Sequence, residues 1–385
     1  MRALSTGLLL LLAPAGASWG DAGDARFLSQ EALVAVASAG AVVAEATAPV
    51  WDTIPGNEVK LNPQHTVALL DRQANAALSS SGPLILTVRA AYDARDLAVA
   101  LEWADGSESR ASPTDPGMFG DTAALEIPER FGAGLRLPYI GMGDAAAHVR
   151  LSMARALDAG TDTRALVAAG FGSSTRTGAP VFRASMRYDS KRARWRAVFV
   201  LPLVGEAQDL RRGLVPIAFA AWDGAKNERG GNKALSRWKF LRLARWELEK
   251  DYLDELSFGY GSGDLGDPAR GKQLVEGICV ACHRIGEKQL APVGMAPELT
   301  GVGRIAAPSY LRSSLLDPSE VLVPSPNPNR HYQAGTLDGT GAHPNNGAYS
   351  WWQLDPTGKQ ISKMPSFSTM SKEDIAAIVA YLSSL

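Results

Sequence analysis

The chain has 385 residues, with 39 Lys and Arg against 40 Asp and Glu, and its formal net charge is -1. This length allows two domains, and the balanced charge argues against a general nucleic-acid-binding protein. Two cysteines are present, Cys279 and Cys282, and both belong to one short motif in the last third of the chain.

Residues 1–17 are predicted to be a secretory signal peptide. The sequence "MRALSTGLLLLLAPAGASWG" combines a basic residue, an apolar run through Leu12 and the small residues Ala15, Gly16 and Ala17 at a cleavage site. The run is too short to cross a membrane, and an uncleaved signal anchor is the alternative. We therefore expect a periplasmic protein without a stable membrane span after cleavage.

Residues 18–253 have the pattern of a mainly β-sandwich domain. "GPLILTVRAAYDARDLAVALEWADGSES" contains two β-rich runs around a turn, which predicts a hairpin. "DTAALEIPERF", "LVPIAFAAWDGAK" and the paired runs "FRASMRYD" and "RWRAVFVL" continue the pattern. We expect helical structure in "AAAHVRLSMARALDAG" and from Trp238 to Leu253.

The two domains are predicted to meet at a linker over residues 254–266. This segment belongs to "ELSFGYGSGDLGDPARG", which is rich in Gly, Ser and Asp. Residues 267–385 form the predicted second domain, a small all-α unit, and "DPARGKQLVEG" at its start predicts a short helix.

The motif "CVACH" has three possible functions. A redox pair is expected after a strand, whereas a helix precedes Cys279 here. A structural zinc site needs four ligands, and no third cysteine exists to join His283. Covalent haem uses the whole motif, because Cys279 and Cys282 form thioethers and His283 binds iron. We predict one haem c, which leaves no cysteine for an iron–sulfur cluster.

The sixth iron ligand is predicted to be Met364 in "SKMPSFSTM". This methionine lies in a Pro-flanked loop, and a His/Met ligand pair is typical of cytochromes c. Alternatively, Met364 packs in the hydrophobic core and does not bind iron, and Met295 and Met370 are rival ligands. His331 and His343 are further candidates in a long Pro/Gly/Asn-rich segment.

A final helix is predicted to start at Ser371. Asp374 follows three residues later, as in a capping box. An apolar stripe at helical spacing would pack on the helix before Cys279, and it consists of Ile375, Ile378, Val379 and Leu382.

Residues 267–385 resemble a class I cytochrome c. The resemblance rests on "GDPARGKQLVEGICVACHRIG", "MAPELTGVGRIAAPSYLRSSLLDP" and "KMPSF". It implies that the carbonyl group of Pro297 in "APEL" orients His283. The segment "VPSPNPNRHYQAGTLDGTGAHPNNGAYSWWQ" is longer than a minimal cytochrome carries, and partner docking or surface padding would explain it.

Roughly residues 45–245 resemble the haem b-binding γ subunits of ethylbenzene dehydrogenase, dimethylsulfide dehydrogenase, selenate reductase and chlorate reductase. The motifs are "WADGSES", "MFGDTAALEIP", "PYIGMGDAAAHV" and "PIAFAAWDGAKNERGGNKALSRW". The resemblance implies one non-covalent haem b with a methionine and a lysine as axial ligands. They map onto Met142 in "YIGMG" and Lys233 in "GGNKALSRW".

The identity of the lysine ligand is less constrained by the sequence. Iron needs a neutral amine, whereas an ordinary lysine is protonated at neutral pH, so the ligand must be buried. Lys226 in "DGAKN" is the rival of Lys233, and His148 and His65 are other candidates. "AAAHVRLSMARA" also departs from the family, which often has a Trp-rich strand after the "GMG" motif.

The combined expectation is a periplasmic dihaem electron-transfer protein that is not itself an enzyme. The resemblance implies an iron–sulfur β subunit, a molybdenum catalytic subunit and a soluble cytochrome or other carrier as partners. Alternatives are a monohaem cytochrome fused to a carbohydrate-binding-like β-sandwich and a stand-alone dihaem carrier. A dihaem peroxidase would need two CxxCH motifs, and the sequence has one.

Overall fold

The structure is a computed structural model of the chain. It describes residues 22–64, 81–170, 173–205, 208–261, 265–288, 290, 296–322 and 352–385. The signal peptide prediction and four candidate ligands lie outside the described residues, namely His65, Met295, His331 and His343.

The N-terminal domain is built mainly from β-strands. A short helix precedes them, α1 (Ala22–Glu31). The strands are β1 (Ala32–Ala37), β2 (Asn57–Pro63), β3 (Leu84–Tyr92), β4 (Asp96–Ala104), β5 (Thr122–Pro128), β6 (Val149–Leu157), β7 (Gly160–Ala168), β8 (Thr175–Arg176), β9 (Arg183–Asp189), β10 (Arg194–Pro202), β11 (Leu214–Trp222), β12 (Ala234–Leu235) and β13 (Lys239–Leu243).

These strands form one continuous sheet in the order β8-β7-β6-β5-β11-β12-β2-β3-β4-β10-β9. Neighbours along this path are antiparallel, whereas β1 pairs in parallel with β13 and β3. The path returns on itself, because β9 at one end contacts β7 near the other: the backbone N–H of Met186 donates to Oγ1 of Thr161 at 3.0 Å. The sheet thus closes over a core that includes Trp195, Phe199 and Phe219.

The predicted hairpins are present in the structure. β3 pairs with β4, with Leu86 opposite Trp103, and β9 pairs with β10 around the predicted turn. β5 and β11 are buried along almost their whole length, which fits their nearly continuous apolar sequences.

Two helix predictions in this domain were wrong. "AAAHVRLSMARALDAG" contains strand β6, whose buried positions are mostly separated by half-buried ones. Its Ala, Leu, Met and Arg favour helices intrinsically, but pairing with β5 and β7 decides the conformation. The stretch from Trp238 to Leu253 begins with strand β13, and a helix starts only at Lys250.

The C-terminal part is a small helical domain. Helix α2 (Lys250–Leu256) precedes it. The helices of the domain are α3 (Pro268–Ile278), α4 (Pro308–Leu316) and α5 (Lys372–Ser384), and a short hairpin is formed by β14 (Trp352–Leu354) and β15 (Gln360–Ser362). Asp267 caps α3, and the Ser371 hydroxyl accepts the N–H of Asp374 at the start of α5, as predicted. Gly271 allows α3 to lie directly against Ala377 of α5.

The segment after α2 packs against the β domain at Tyr260. Its hydroxyl group donates to Oε1 of the buried Glu31 at 2.7 Å, and its ring lies against Phe27. The first part of the predicted linker is therefore held by specific contacts.

The predicted fold class is confirmed, with a mainly β N-terminal domain and a small helical C-terminal domain. Among the helices that the structure describes, none has both the length and the apolar character needed to cross a membrane.

Candidate haem-binding sites

The CxxCH motif lies in a tight turn directly after α3. A single 3₁₀ turn covers Cys279–Ala281, and the backbone N–H groups of Cys282 and His283 both donate to the carbonyl of Cys279, at 3.1 and 2.8 Å. This turn brings both thiols and the imidazole together. Burial raises the pKa of the Cys279 thiol to about 11.

His283 is oriented by a backbone carbonyl group. Its Nδ1 lies 2.7 Å from the carbonyl oxygen of Pro297, and because a carbonyl can only accept, Nδ1 carries the proton. Nε2 is then the nitrogen with a lone pair for a metal. The side chain is buried, and this burial lowers the histidine pKa, which favours the neutral form that binds iron.

Met364 is half-buried against the core of the same domain. Cys279, Met364 and Met370 all pack on one cluster of buried side chains that includes Val280 and Ile285. The backbone N–H of Met364 donates to the hydroxyl of Ser362 at the end of β15. The predicted ligand and its rival Met370 thus share the core that backs the CxxCH turn.

The second candidate site begins with the loop that contains Met142. Met142 has φ of 72°, which is unusual for a residue other than glycine, and Gly143 follows at 76°. A Cβ atom on Gly143 would lie 2.9 Å from the carbonyl oxygen of Ala147, so only glycine fits there. Gly170 donates its N–H to the carbonyl of Met142 at 2.8 Å.

Asp144 fixes this loop from inside. Its buried carboxylate accepts two hydrogen bonds from Arg136, at 2.6 and 2.8 Å, and one from the backbone N–H of Tyr139 at 3.1 Å. It also accepts the N–H groups of Ala146 and Ala147. These bonds lower the pKa of Asp144 despite its burial. We refer to residues 138–147 as the Met142 loop.

Glu126 on β5 connects the two predicted ligands of this site. Its carboxyl group interacts with the backbone N–H of Met142, which lowers the pKa of Glu126, and with the charge of Lys233. Its Oε1 atom is buried and has no hydrogen-bond partner in the described part of the chain. The structure thus brings Met142 and Lys233 to one buried carboxyl group.

Lys233 has the environment that a neutral lysine needs. Its side chain is buried, and its Nζ lies 5.3 Å from the centre of the Trp222 ring. Burial lowers the pKa of Lys233, and burial raises the pKa of Glu126 to about 8. Both shifts favour the uncharged forms, and only the neutral amine can bind a metal.

The rival ligands lie in different surroundings. Lys226 is 65 % exposed in its side chain and forms an ion pair with Asp223 at 2.8 Å. His148 is exposed and lies 3.5 Å from Glu129, just before β6. Neither has a described contact with Glu126, whereas Lys233 does.

Three residues of this site were not foreseen from the sequence, namely Glu126, Arg136 and Asp144. The one available signal was Glu126, a single charge within the apolar run "AALEIP". Such a residue in a buried strand usually has a specific partner. Nothing in the spacing of Arg136 and Asp144 indicated that they meet.

The donor sets fit the two predicted groups. The C-terminal domain offers two thiols, an oriented imidazole and a thioether on one core, as a covalent haem requires. The β domain offers a thioether and a buried amine with a lowered pKa, beside a carboxyl oxygen that has no hydrogen-bond partner among the described residues.

Comparison with known proteins finds one matching family model and several relatives. Residues 268–385 match the family model described as cytochrome c, which supports the predicted haem c. The chain is 33% identical to chlorate reductase subunit gamma of Ideonella dechloratans over 229 residues, which are 56% of this chain and 86% of that protein.

Two further relatives match over a smaller share of their length. A haem subunit assigned to a respiratory nitrate reductase of Haloferax mediterranei is 29% identical over 50% of this chain and 65% of its own. Dimethylsulfide dehydrogenase subunit gamma of Rhodovulum sulfidophilum is 30% identical over 41% of this chain and 60% of its own.

Among solved structures, a family 9 carbohydrate-binding module of Caldicellulosiruptor kristjanssonii in complex with glucose is 8% identical. It aligns with 57% of this chain and 98% of that chain, with a TM-score of 0.29. A score this low supports no conclusion about function.

Proposed function

Because the chain belongs to the γ-subunit family that contains chlorate reductase subunit gamma, we propose that it is a periplasmic dihaem electron-transfer protein. One haem c would be attached in the C-terminal domain and one haem b held in the β domain. The main observation behind this proposal is that Met142 and Lys233 both interact with the side chain of Glu126. The same chain also has a separate domain that contains the CxxCH motif.

In the β domain, Met142 and Lys233 would be the axial ligands of haem b. Two features of the chain favour this ligation: hydrogen bonds to Asp144 hold the Met142 loop, and burial lowers the pKa of Lys233, which favours the neutral amine. Bound haem supplies a one-electron centre, and the apolar core around the site excludes water.

In the C-terminal domain, Cys279 and Cys282 would form the thioethers, and His283 and Met364 would bind the iron. Pro297 holds the proton on Nδ1 of His283, so that Nε2 can act as the ligand. A His/Met pair raises the reduction potential relative to harder ligands.

The chain itself would not turn over a substrate. Its relatives are named as subunits of reductases and a dehydrogenase. We propose that this chain likewise exchanges electrons with an iron–sulfur subunit, which in turn is connected to a molybdenum catalytic subunit. The C-terminal domain would then exchange electrons with a soluble carrier. Copurification from the native host with those two subunits tests this part of the proposal.

The haem content tests the central part. A pyridine haemochrome spectrum is recorded for the periplasmically expressed chain before and after extraction of non-covalent haem with acidified solvent. We expect one haem b and one haem c per chain. Haem c alone, with haem in adequate supply, would rule out the dihaem function and favour a monohaem cytochrome fused to a β domain.

A further inference from the structure

The C-terminal domain contacts the β domain at the Met142 loop. Tyr310 on α4 packs against Tyr139 of that loop, with 5.7 Å between their ring centres. Tyr139 is 3% exposed, and Tyr310 belongs to the edges of both hydrophobic cores. The contact therefore joins the two hydrophobic cores, and Tyr139 lies three residues before Met142 in the chain.

A charged contact supports the same loop. Arg136 binds Asp144 with two hydrogen bonds, and its Nε lies 3.5 Å from Glu320, which follows α4 in the C-terminal domain. The side chains of Arg136 and Glu320 are 27% and 39% exposed, so this ion pair is only partly shielded from water. Asp144, which fixes the loop from inside, is thus linked through Arg136 to the other domain.

Other contacts also join the two domains. Arg237 donates to the carbonyl of Ala306 at 3.2 Å, and Asn62 donates to that of Arg304 at 3.4 Å. Between them, Ile305 is buried within the hydrophobic core of the β domain. Burial of apolar side chains from one domain in the core of the other favours a fixed arrangement of the two domains.

The conformation of Met142 explains why such support matters. A non-glycine residue with positive φ costs free energy and persists only when its surroundings enforce it. Within the β domain, Glu126 and Gly170 contact its backbone. Tyr310 then backs the loop from the side of the other domain.

We propose that the C-terminal domain forms part of the haem b site, with Tyr310 as a positioning residue for the Met142 loop. This inference rests on the proposed function. Tyr310 would act indirectly, by packing on Tyr139 of the Met142 loop. Glu320 would support the same loop through its ion pair with Arg136. The two haem sites would then have a fixed relative position, and electron transfer between them would not require movement of the C-terminal domain.

The test uses the full-length protein with both haems. Haem b release to excess apomyoglobin is followed for the wild type, Tyr310→Ala and Tyr310→Phe, and the ferric electron paramagnetic resonance spectrum is recorded for each. We expect release from Tyr310→Ala to be roughly tenfold faster, with a shifted low-spin signal, because an aromatic contact and its packing are lost. Phe keeps the ring and should restore the wild-type rate and spectrum.

Two other variants complete the design. Glu276→Gln removes an ion pair with Lys288 inside the C-terminal domain and should leave haem b unchanged. If Tyr310→Ala fails to fold, judged by loss of the haem c spectrum, Tyr310→Leu replaces it, because leucine preserves apolar packing without the ring. Its haem b release should be roughly threefold faster than that of the wild type.

The outcomes separate the two proposals. Wild-type release and an unshifted spectrum in a folded Tyr310→Ala or Tyr310→Leu variant would overturn the positioning role and leave the dihaem function intact. A wild-type protein without haem b would overturn both.

Discussion

The carboxyl group of Glu126 interacts with the backbone N–H of Met142, which is the residue predicted to bind haem b through its thioether. The same carboxyl group interacts with Lys233. A single side chain on β5 thus connects the Met142 loop with Lys233, the residue just before β12, and these two parts of the chain provide the proposed ligands.

Replacement of Glu126 by Gln should preserve haem b, whereas replacement by Ala should weaken it. Gln keeps a carbonyl acceptor for the Met142 N–H, and Ala leaves that donor without its partner, at a cost of about 1–3 kcal/mol. The haem b dissociation constant, measured by titration of haem into the apo b site, reports the difference. Equal affinities for the two variants would show that the interaction between Glu126 and the Met142 N–H does not contribute to haem b binding.

Replacement of Met142 by Leu should lower haem b affinity roughly tenfold or more, because it removes the thioether and keeps the apolar volume. The low-spin spectrum of haem b should also be lost, while haem c is unchanged. Met153→Leu is the matched control, since Met153 packs against the same core from β6. A low-spin haem b in Met142→Leu would exclude Met142 as a ligand.

The two lysines are distinguished by a matched pair of substitutions. Lys233→Gln should abolish the low-spin haem b signal, because the buried amine is lost, whereas Lys226→Gln should not, because Lys226 is exposed and bound to Asp223. Absorption spectra of the ferric proteins provide the measurement. The opposite pattern would transfer the ligand role to Lys226.

Asp121 should make the stability of the chain depend on pH. Burial is the main reason that its pKa rises from 3.8 to about 6, and its carboxylate accepts hydrogen bonds from Ser109, Trp195 and Gly224. An acid with a higher pKa in the folded state binds protons more tightly there. Its stabilising contribution is therefore complete below pH 3.8 and is lost as the pH rises through about 6.

The expected size of this loss is about 3 kcal/mol, from a shift of roughly two units at about 1.4 kcal/mol each. Urea unfolding of the wild type and Asp121→Asn at several pH values measures it. The difference in unfolding free energy between the two proteins should decrease from pH 3.5 to pH 7, by roughly the amount above. A difference that is constant with pH would contradict the raised pKa.

Two glycines of α3 should respond oppositely to alanine. A Cβ atom on Gly271 would lie 1.9 Å from the carbonyl oxygen of Ala377, so Gly271→Ala forces α3 and α5 apart, at a cost of about 1–3 kcal/mol or more. Gly277 has no atom within 4 Å of that position, and Gly277→Ala should stabilise the domain by up to about 1 kcal/mol. Thermal unfolding monitored at the haem c absorption compares them, and a stable Gly271→Ala variant would argue against this helix contact.

Much of the architecture could be predicted because it depends on local patterns. The hairpin of β3 and β4 follows from two β-rich runs around a turn, and the start of α5 follows from Ser371 and Asp374. The close succession of Cys279, Cys282 and His283 is set by their spacing alone. These features need no knowledge of distant parts of the chain.

Other features depend on contacts between residues far apart in the sequence. β6 consists of residues that favour helices, and its conformation is decided by pairing with β5 and β7. Glu126 and Lys233 are more than a hundred positions apart, and so are Tyr139 and Tyr310. Local sequence patterns do not predict contacts between such distant residues. The contacts that support the Met142 loop could therefore be identified only from the folded structure.

The near-infrared magnetic circular dichroism spectrum of the ferric full-length protein tests the account most directly, because its charge-transfer bands report the axial ligand pair of each low-spin haem. We predict two such bands, one from a His/Met pair and one from a Met/Lys pair, with the second absent in Lys233→Gln. A single His/Met band from the wild-type protein, with both haems present or with haem c alone, would contradict the proposed haem b site.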